Sequence, residues 1–207
     1  MQRLAAIAAF AALVAVSGGV WYASQRNASG DPYAQCRTSR IAGGAEQIGG
    51  PFTLVNKSGE TVTDKEVIKE PSLVYFGYTF CPDVCPFDTA RNAEAVDVLT
   101  ERGYSVTPVF ISIDPDRDTP EVVGEFAELV HERMIGLTGS PEQVKAASQA
   151  YRTYYRKQED GDPEYYLVDH STFTYLVLPE VGFVDFFRRE VTPEEMADRV
   201  ACYINAS

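Results

Sequence analysis

Residues 72–86 of the chain read SLVYFGYTFCPDVCP, an apolar run directly followed by two closely spaced cysteines. Ser72–Tyr78 contains no charged residue, which is typical of a β-strand that is buried on both faces of a sheet. A helix is predicted from Pro86 to about Arg102, because proline suits the first turn of a helix, where its missing N–H costs nothing. The stretch therefore predicts a buried strand, a short cysteine loop and a helix.

The remainder of the chain continues this alternation of strands and helices. Phe52–Val55 and Thr61–Thr63 flank turn residues and predict a hairpin, and Pro179–Glu180 predicts a second, tighter one. Further strands are predicted at Val106–Ile113, Tyr165–Val168, Thr172–Leu178 and Val181–Phe187, and helices are predicted to begin at Thr119, Ser140 and Thr192. The pattern predicts the α/β class, with a mixed central sheet flanked by helices.

Length and charge limit the classes of protein. The 207 residues suit one domain with an appendage, and the formal net charge is −12. Residues 1–45 carry four arginines and one aspartate, a charge of +3, so the remainder carries −15. Nucleic acid is excluded as a partner, since binding phosphates requires clustered Lys and Arg.

The N-terminal segment predicts a membrane anchor. Leu4–Ala23 is uncharged and long enough for a helix that crosses a bilayer, and Arg3 before it favours a cytoplasmic start. A signal peptide cleaved near Ala23 is the alternative, and both predict an exported body. We expect an anchor at 1–23, a linker at 24–48 and a domain at 49–207. With no transit peptide evident, we expect a single-pass protein of a bacterial inner membrane, with its domain in the periplasm.

Cys81, Cys85 and His170 are the candidate functional residues. Thiols near a helix N-terminus have a lowered pKa, and a Cys-x3-Cys spacing lets both sulfurs face one point. Two thiolates and one imidazole favour copper, whereas structural zinc requires four protein ligands. A structural disulfide is the plainer interpretation of the pair, and a hydrogen-bonded histidine that of His170 alone.

Three motifs resemble the SCO/SenC family of copper chaperones. They are YFGYTFCPDVCP at 75–86, SIDPDRDTP at 112–120 and YLVDHSTFTYLV at 166–177, in the family's order. The resemblance covers Gly49 to the C-terminus and implies a thioredoxin-like fold with copper, as Cu(I) or Cu(II), bound by the two cysteines and the histidine of these motifs. It also implies assembly of the copper A centre of cytochrome c oxidase. The expected partners are the oxidase copper A subunit and a thiol reductant or another copper chaperone.

Other roles of the cysteines stay open at this point. The pair Cys81 and Cys85 would also serve a thiol–disulfide oxidoreductase, or a sensor of redox state or copper. Cys36, in the linker, and Cys202, in the last helix, would either form a disulfide or leave Cys202 free in the core, since sequence cannot supply the Cα separation that a bridge needs.

The acidic loop and the second histidine are also ambiguous. Asp114 and Asp118 would either surround the metal site, or dock a partner, or cap and form turns, and Asp116 lies between them. His131 falls near the end of a predicted helix, where we expect a solvated cation rather than a ligand.

Overall fold

The structure is a computed structural model that describes residues 14–22, 31–37, 47–158 and 165–207. Residues 14–22 are helical. The strands are β1 (Thr53–Asn56), β2 (Thr61–Thr63), β3 (Ser72–Gly77), β4 (Thr107–Ser112), β5 (Ile135–Thr138), β6 (Tyr155–Lys157), β7 (Val168–His170), β8 (Thr174–Leu178) and β9 (Gly182–Phe187). The helices that follow are α1 (Asp64–Val67), α2 (Val84–Glu101), α3 (Pro120–Val130), α4 (Pro141–Ala150) and α5 (Pro193–Asn205).

A seven-stranded mixed sheet forms the centre of the domain, with the strand order β2-β1-β5-β4-β3-β8-β9. Strand β3 lies parallel to β4 and antiparallel to β8, so Ser72 pairs with both Thr107 and Val177. Every residue of β3 and β4 is buried, because helices cover both faces of the sheet. The predicted α/β class with a mixed central sheet is therefore confirmed.

Two apolar clusters fill the space between the sheet and its helices. In one cluster, Val96 of α2 and Val200 of α5 pack with Leu73 of the sheet. In the other, Val123 of α3 and Val144 of α4 pack with further sheet residues. Helix α2, which follows the cysteine loop, is thus held between the sheet and α5, and its first turn is fixed at the end of β3.

Short elements were the ones that the sequence did not predict. Helix α1 and strands β5 and β6 have four residues or fewer. In β5, Gly136 interrupts the apolar pattern, and it is required because a Cβ there would lie 2.4 Å from the Val123 carbonyl oxygen. The strand predicted at Tyr165–Val168 is instead β7, which begins at Val168 and pairs with β6 in a separate two-stranded ribbon.

Both predicted hairpins are present. Strands β1 and β2 pair antiparallel, as do β8 and β9. Glu180, in the turn of the second hairpin, has a φ of 60°, the left-handed conformation that such tight turns use.

The N-terminal region is described in part. Cys36 and Cys202 form a disulfide with a Cα separation of 5.7 Å, so a free Cys202 is excluded. Tyr33 packs on Tyr203 of α5 with ring centroids 5.5 Å apart, which adds an aromatic contact to the bridge. Among the described residues, no helix combines the length and apolarity that a membrane span needs. Most of the anchor predicted at 1–23 and of the linker at 24–48 lies outside those residues.

Candidate metal centre

The cysteine loop joins the end of β3 to the start of α2. Helix α2 begins at Val84 after the N-cap Asp83, two residues earlier than predicted, so Cys85 lies inside its first turn. The backbone N–H of Cys85 donates to Cys81 Sγ at 3.4 Å. Both cysteines are buried, with Cys81 6% exposed, and no disulfide joins them. The structure therefore does not support the interpretation of this pair as a structural disulfide.

The structure brings the three predicted ligands together. One donor atom from each of Cys81, Cys85 and His170 lies within 4.8 Å of the others. Cys85 Sγ and His170 Nε2 are 3.5 Å apart. His170 Nδ1 lies 2.9 Å from the Ser171 carbonyl oxygen, which can only accept. Nδ1 therefore donates to that carbonyl, and Nε2 is left as the ring nitrogen on the side of the sulfurs, where it can bind a metal.

The two cysteines differ in protonation. A hydrogen bond from Cys85 lowers the pKa of Cys81 to about 3, and His170 and backbone N–H groups act in the same direction. The same hydrogen bond and burial raise the pKa of Cys85. The expectation of a lowered pKa thus holds for Cys81 alone, because a second negative charge beside the first in a buried site is unfavourable. The lowered pKa of Cys81 favours a thiolate there, and the raised pKa of Cys85 favours a thiol.

A buried tyrosine and aspartate lie behind Cys85, and the sequence did not single them out. The Tyr75 hydroxyl donates to Asp88 at 3.0 Å, and Arg189 Nε donates to the other carboxylate oxygen at 3.1 Å. Burial raises the pKa of Tyr75, so it stays a phenol. Gly77 leaves room for this arrangement, since a Cβ there would lie 3.0 Å from Cys85 Sγ. Asp88 was missed because a lone carboxylate in a helix is ordinarily solvated.

The aspartates of the acidic loop brace the site rather than surround it. Asp118 is fully buried and accepts from the Thr79 backbone N–H at 3.0 Å and from the Thr79 and Ser112 hydroxyls at 2.5 Å. Asp114 accepts from Arg117 Nε at 2.6 Å. Neither carboxylate belongs to the donor group, so the expectation that they surround the metal site is not met. Neither caps the helix that follows, whose N-cap is Thr119, and both bond to residues of neighbouring segments instead. Burial raises the pKa of Asp118.

The second histidine is not solvated. His131 ends α3, as predicted, but its side chain is only 10% exposed and Nε2 lies 3.2 Å from Asp97. The prediction of a solvated side chain was wrong, because the ring lies between Asp97 of α2 and the Arg133 backbone N–H, which donates to Nδ1 at 3.0 Å. His131 is outside the donor group of Cys81, Cys85 and His170.

A buried central strand of a mixed sheet, followed by a cysteine loop and a helix, defines a thioredoxin-like domain, here with an imidazole added from a separate ribbon. The family model described as SCO1/SenC matches residues 41–205. The chain therefore belongs to the SCO1/SenC family.

Relatives and solved structures agree with this assignment. The chain is 55% identical to Protein SenC of Rhodobacter capsulatus over 205 residues, which cover 99% of this chain and 92% of that protein. A crystal structure of Arabidopsis thaliana ScoI with copper bound is 43% identical, with a TM-score of 0.72, covering 77% of this chain and 99% of that one. Bradyrhizobium japonicum ScoI with copper bound is 37% identical, with a TM-score of 0.66, over 75% and 99% of the two chains.

Proposed function

We propose that this protein is a copper-binding metallochaperone whose ligands are Cys81, Cys85 and His170. The observation that carries the proposal is the clustering of two sulfurs and one imidazole nitrogen within 4.8 Å. Thiolates are soft donors that favour Cu(I), and imidazole suits copper in both common oxidation states. Support also comes from the ScoI structures of two organisms, which are described as having copper bound.

Each donor has a distinct task in taking up the metal. Cys81 offers a lone pair at neutral pH without losing a proton, since its pKa is lowered to about 3. Cys85 must release its proton, so uptake by both sulfurs is coupled to pH. His170 presents Nε2, because Nδ1 is occupied by the Ser171 carbonyl. Three protein donors leave room for a ligand from a partner, so the cargo can leave by exchange of one ligand at a time.

The client that we propose is the copper A subunit of cytochrome c oxidase, with a thiol reductant or another copper chaperone as the supplier. We further propose that residues 1–23 anchor the chain in a bacterial inner membrane, that 24–48 form a linker, and that the domain of 49–207 faces the periplasm. The Cys36–Cys202 disulfide supports an exported location, because such bridges persist in oxidising compartments.

Copper titration of the domain with a reduced Cys81–Cys85 pair tests this proposal. The wild-type protein should saturate near one equivalent, and X-ray absorption should show two sulfurs and one nitrogen around the metal. The variants Cys81→Ser and His170→Ala should bind more weakly. His131→Ala is the matched control, since it removes an imidazole outside the donor group. Wild-type affinity in both ligand variants would contradict the proposal.

A thiol–disulfide oxidoreductase is the second candidate, and the protonation of the pair favours it. A thiolate at Cys81 beside the thiol of Cys85 is the arrangement that attacks a disulfide and then resolves the mixed disulfide. This activity needs both cysteines but not His170. Cells that lack the protein distinguish the two functions: His170→Ala restores oxidase assembly if the protein acts as a reductase and fails to do so if it acts as a chaperone.

A further inference from the structure

The histidine of the donor group stands on an element that the main sheet does not hold. Strands β6 and β7 form their own two-stranded ribbon, in which His170 pairs with Tyr155. Both cysteines, in contrast, follow β3 at the centre of the seven-stranded sheet. The distance from the imidazole to the sulfurs therefore depends on contacts that fasten the ribbon to the cysteine loop.

A cluster of three side chains provides part of this fastening. Tyr166, which precedes β7, donates its hydroxyl to Asp114 at 2.6 Å, and Asp114 also accepts from Arg117 Nε at 2.6 Å. The Arg117 guanidinium carbon lies 3.6 Å from the centroid of the Tyr166 ring. Asp114, Arg117 and Tyr166 are called the Arg117 clasp below.

The clasp reaches the cysteine loop as well as the ribbon. The Arg117 guanidinium carbon is 4.9 Å from the Phe80 ring centroid and 5.7 Å from that of Tyr78. Tyr78 in turn accepts the Val168 backbone N–H of β7 at 3.3 Å, and its ring meets that of His170 edge-on at 5.8 Å. One planar cation therefore joins residues that immediately precede Cys81 to residues that precede His170.

The chemistry of arginine suits this role. Guanidinium groups are weakly hydrated and stack on aromatic rings while donating to a carboxylate in a fixed direction. The side chain of Arg117 is 13% exposed, so these contacts are largely removed from water. Burial and the bond to Asp114 raise the pKa of Tyr166, which keeps its hydroxyl a donor at neutral pH.

We propose that Arg117 is a positioning residue: its clasp holds the ribbon against the cysteine loop and so sets the position of His170 relative to Cys81 and Cys85. The proposal rests on the proposed function for its consequence in copper binding. The structural part concerns the metal-free protein and is tested separately. With the clasp intact, the imidazole is held ready beside the sulfurs; with the clasp broken, the cysteines keep their places and the imidazole does not.

The test compares Arg117→Gln and Tyr166→Phe with Arg102→Gln, which removes an arginine from a surface ion pair with Asp198. Tyr166→Phe deletes only the hydroxyl bond to Asp114 and keeps the ring. In the metal-free proteins, nuclear Overhauser effects between the His170 and Tyr78 rings report the position of the imidazole. They should weaken in both clasp variants and persist in Arg102→Gln. Unchanged effects in Arg117→Gln, or in Tyr166→Phe should the first variant not fold, would overturn the proposal.

Copper affinity, measured by competition with a chelator, tests the consequence. Arg117→Gln should lose about 10- to 100-fold in affinity, the range for residues that orient a metal ligand. Added to His170→Ala, it should cause no further loss, because its effect passes through the imidazole. A further tenfold loss in the double variant would overturn the positioning role. Binding by His170→Ala that equals wild type would refute the proposed ligand set, whereas the ring contacts would still decide on the clasp.

Discussion

The disulfide between Cys36 and Cys202 should contribute a large part of the stability of the domain. It joins residues 166 positions apart, so it restricts nearly the whole unfolded chain. In the chain-entropy description, opening a loop of that length lowers the free energy of unfolding by about 5 kcal/mol. This value applies if residues 31–37 stay packed on α5 without the bridge.

A lower bound follows from the opposite assumption, that this segment leaves α5 once the bridge is gone. The chain between Cys36 and Gln47, a loop of about 11 residues, would then no longer be held at both ends in the folded protein. The entropy that it regains is worth about 3 kcal/mol in the same description. The net loss would be about 2 kcal/mol, the difference between the two loops. The packing of Tyr33 on Tyr203 favours the upper part of this range.

Guanidinium denaturation followed by circular dichroism measures the effect. Both proteins should carry Cys81→Ser and Cys85→Ser, which prevents exchange of the reactive pair with the bridge, and one should also carry Cys36→Ser and Cys202→Ser. Tyr33→Ala with the bridge intact reports the aromatic packing alone. A loss below about 1 kcal/mol on removal of the bridge would refute the reasoning, because it falls under the lower bound set by the loop lengths.

The remaining predictions concern the site and its support. Alkylation of Cys81 should be nearly as fast at pH 5 as at pH 8, because its lowered pKa of about 3 keeps it a thiolate until the pH falls through that value. Alkylation of an ordinary thiol slows by about three orders of magnitude over the same range. Mass spectrometry should find little label on Cys85, and the pH profile of an ordinary thiol at Cys81 would contradict the assignment. Asp118→Asn should lower the free energy of unfolding by about 1–3 kcal/mol, since an amide cannot accept all three hydrogen bonds, and the exposed control Asp116→Asn should change it by less than about 0.5 kcal/mol. Gly77→Ala should cost about 1–3 kcal/mol by overpacking against Tyr75, Phe110 and Cys85, and a stability equal to wild type would show that the site has space for the methyl group.

Strands and helices could be predicted where the sequence pattern was long and continuous. The apolar run of Ser72–Tyr78 predicted β3 within a residue, because a strand buried on both faces tolerates no polar interruption. The Thr-Pro and Ser-Pro starts of α3, α4 and α5 were also correct, since cap and first-turn chemistry is local. Strand β5 escaped prediction because four residues that include a glycine carry too little periodicity to indicate a strand.

The site could be predicted in its residues but not in its geometry. Cys81 and Cys85 are neighbours in sequence, so their proximity was expected, whereas His170 reaches them through a ribbon that no local pattern indicated. The difference in protonation between the two thiols also depends on burial, which spacing does not contain. Their role as ligands, with His170, stays a prediction that the titration above decides.

The hydrogen bonds and ion pairs of the carboxylates around the site bear on which metals the site accepts. The body of the chain is strongly acidic, and hard cations bind to carboxylate oxygens. Yet the buried carboxylates nearest the cysteines are already engaged: Asp88 with Tyr75 and Arg189, Asp114 in the Arg117 clasp, and Asp118 with hydroxyl and backbone donors. Within the described residues, the donor group consists of sulfur and imidazole alone. The aspartates therefore take no part in the donor group, and we expect the site to discriminate against Ca²⁺ and Mg²⁺ because its carboxylates are already bound to other groups, not because they are few.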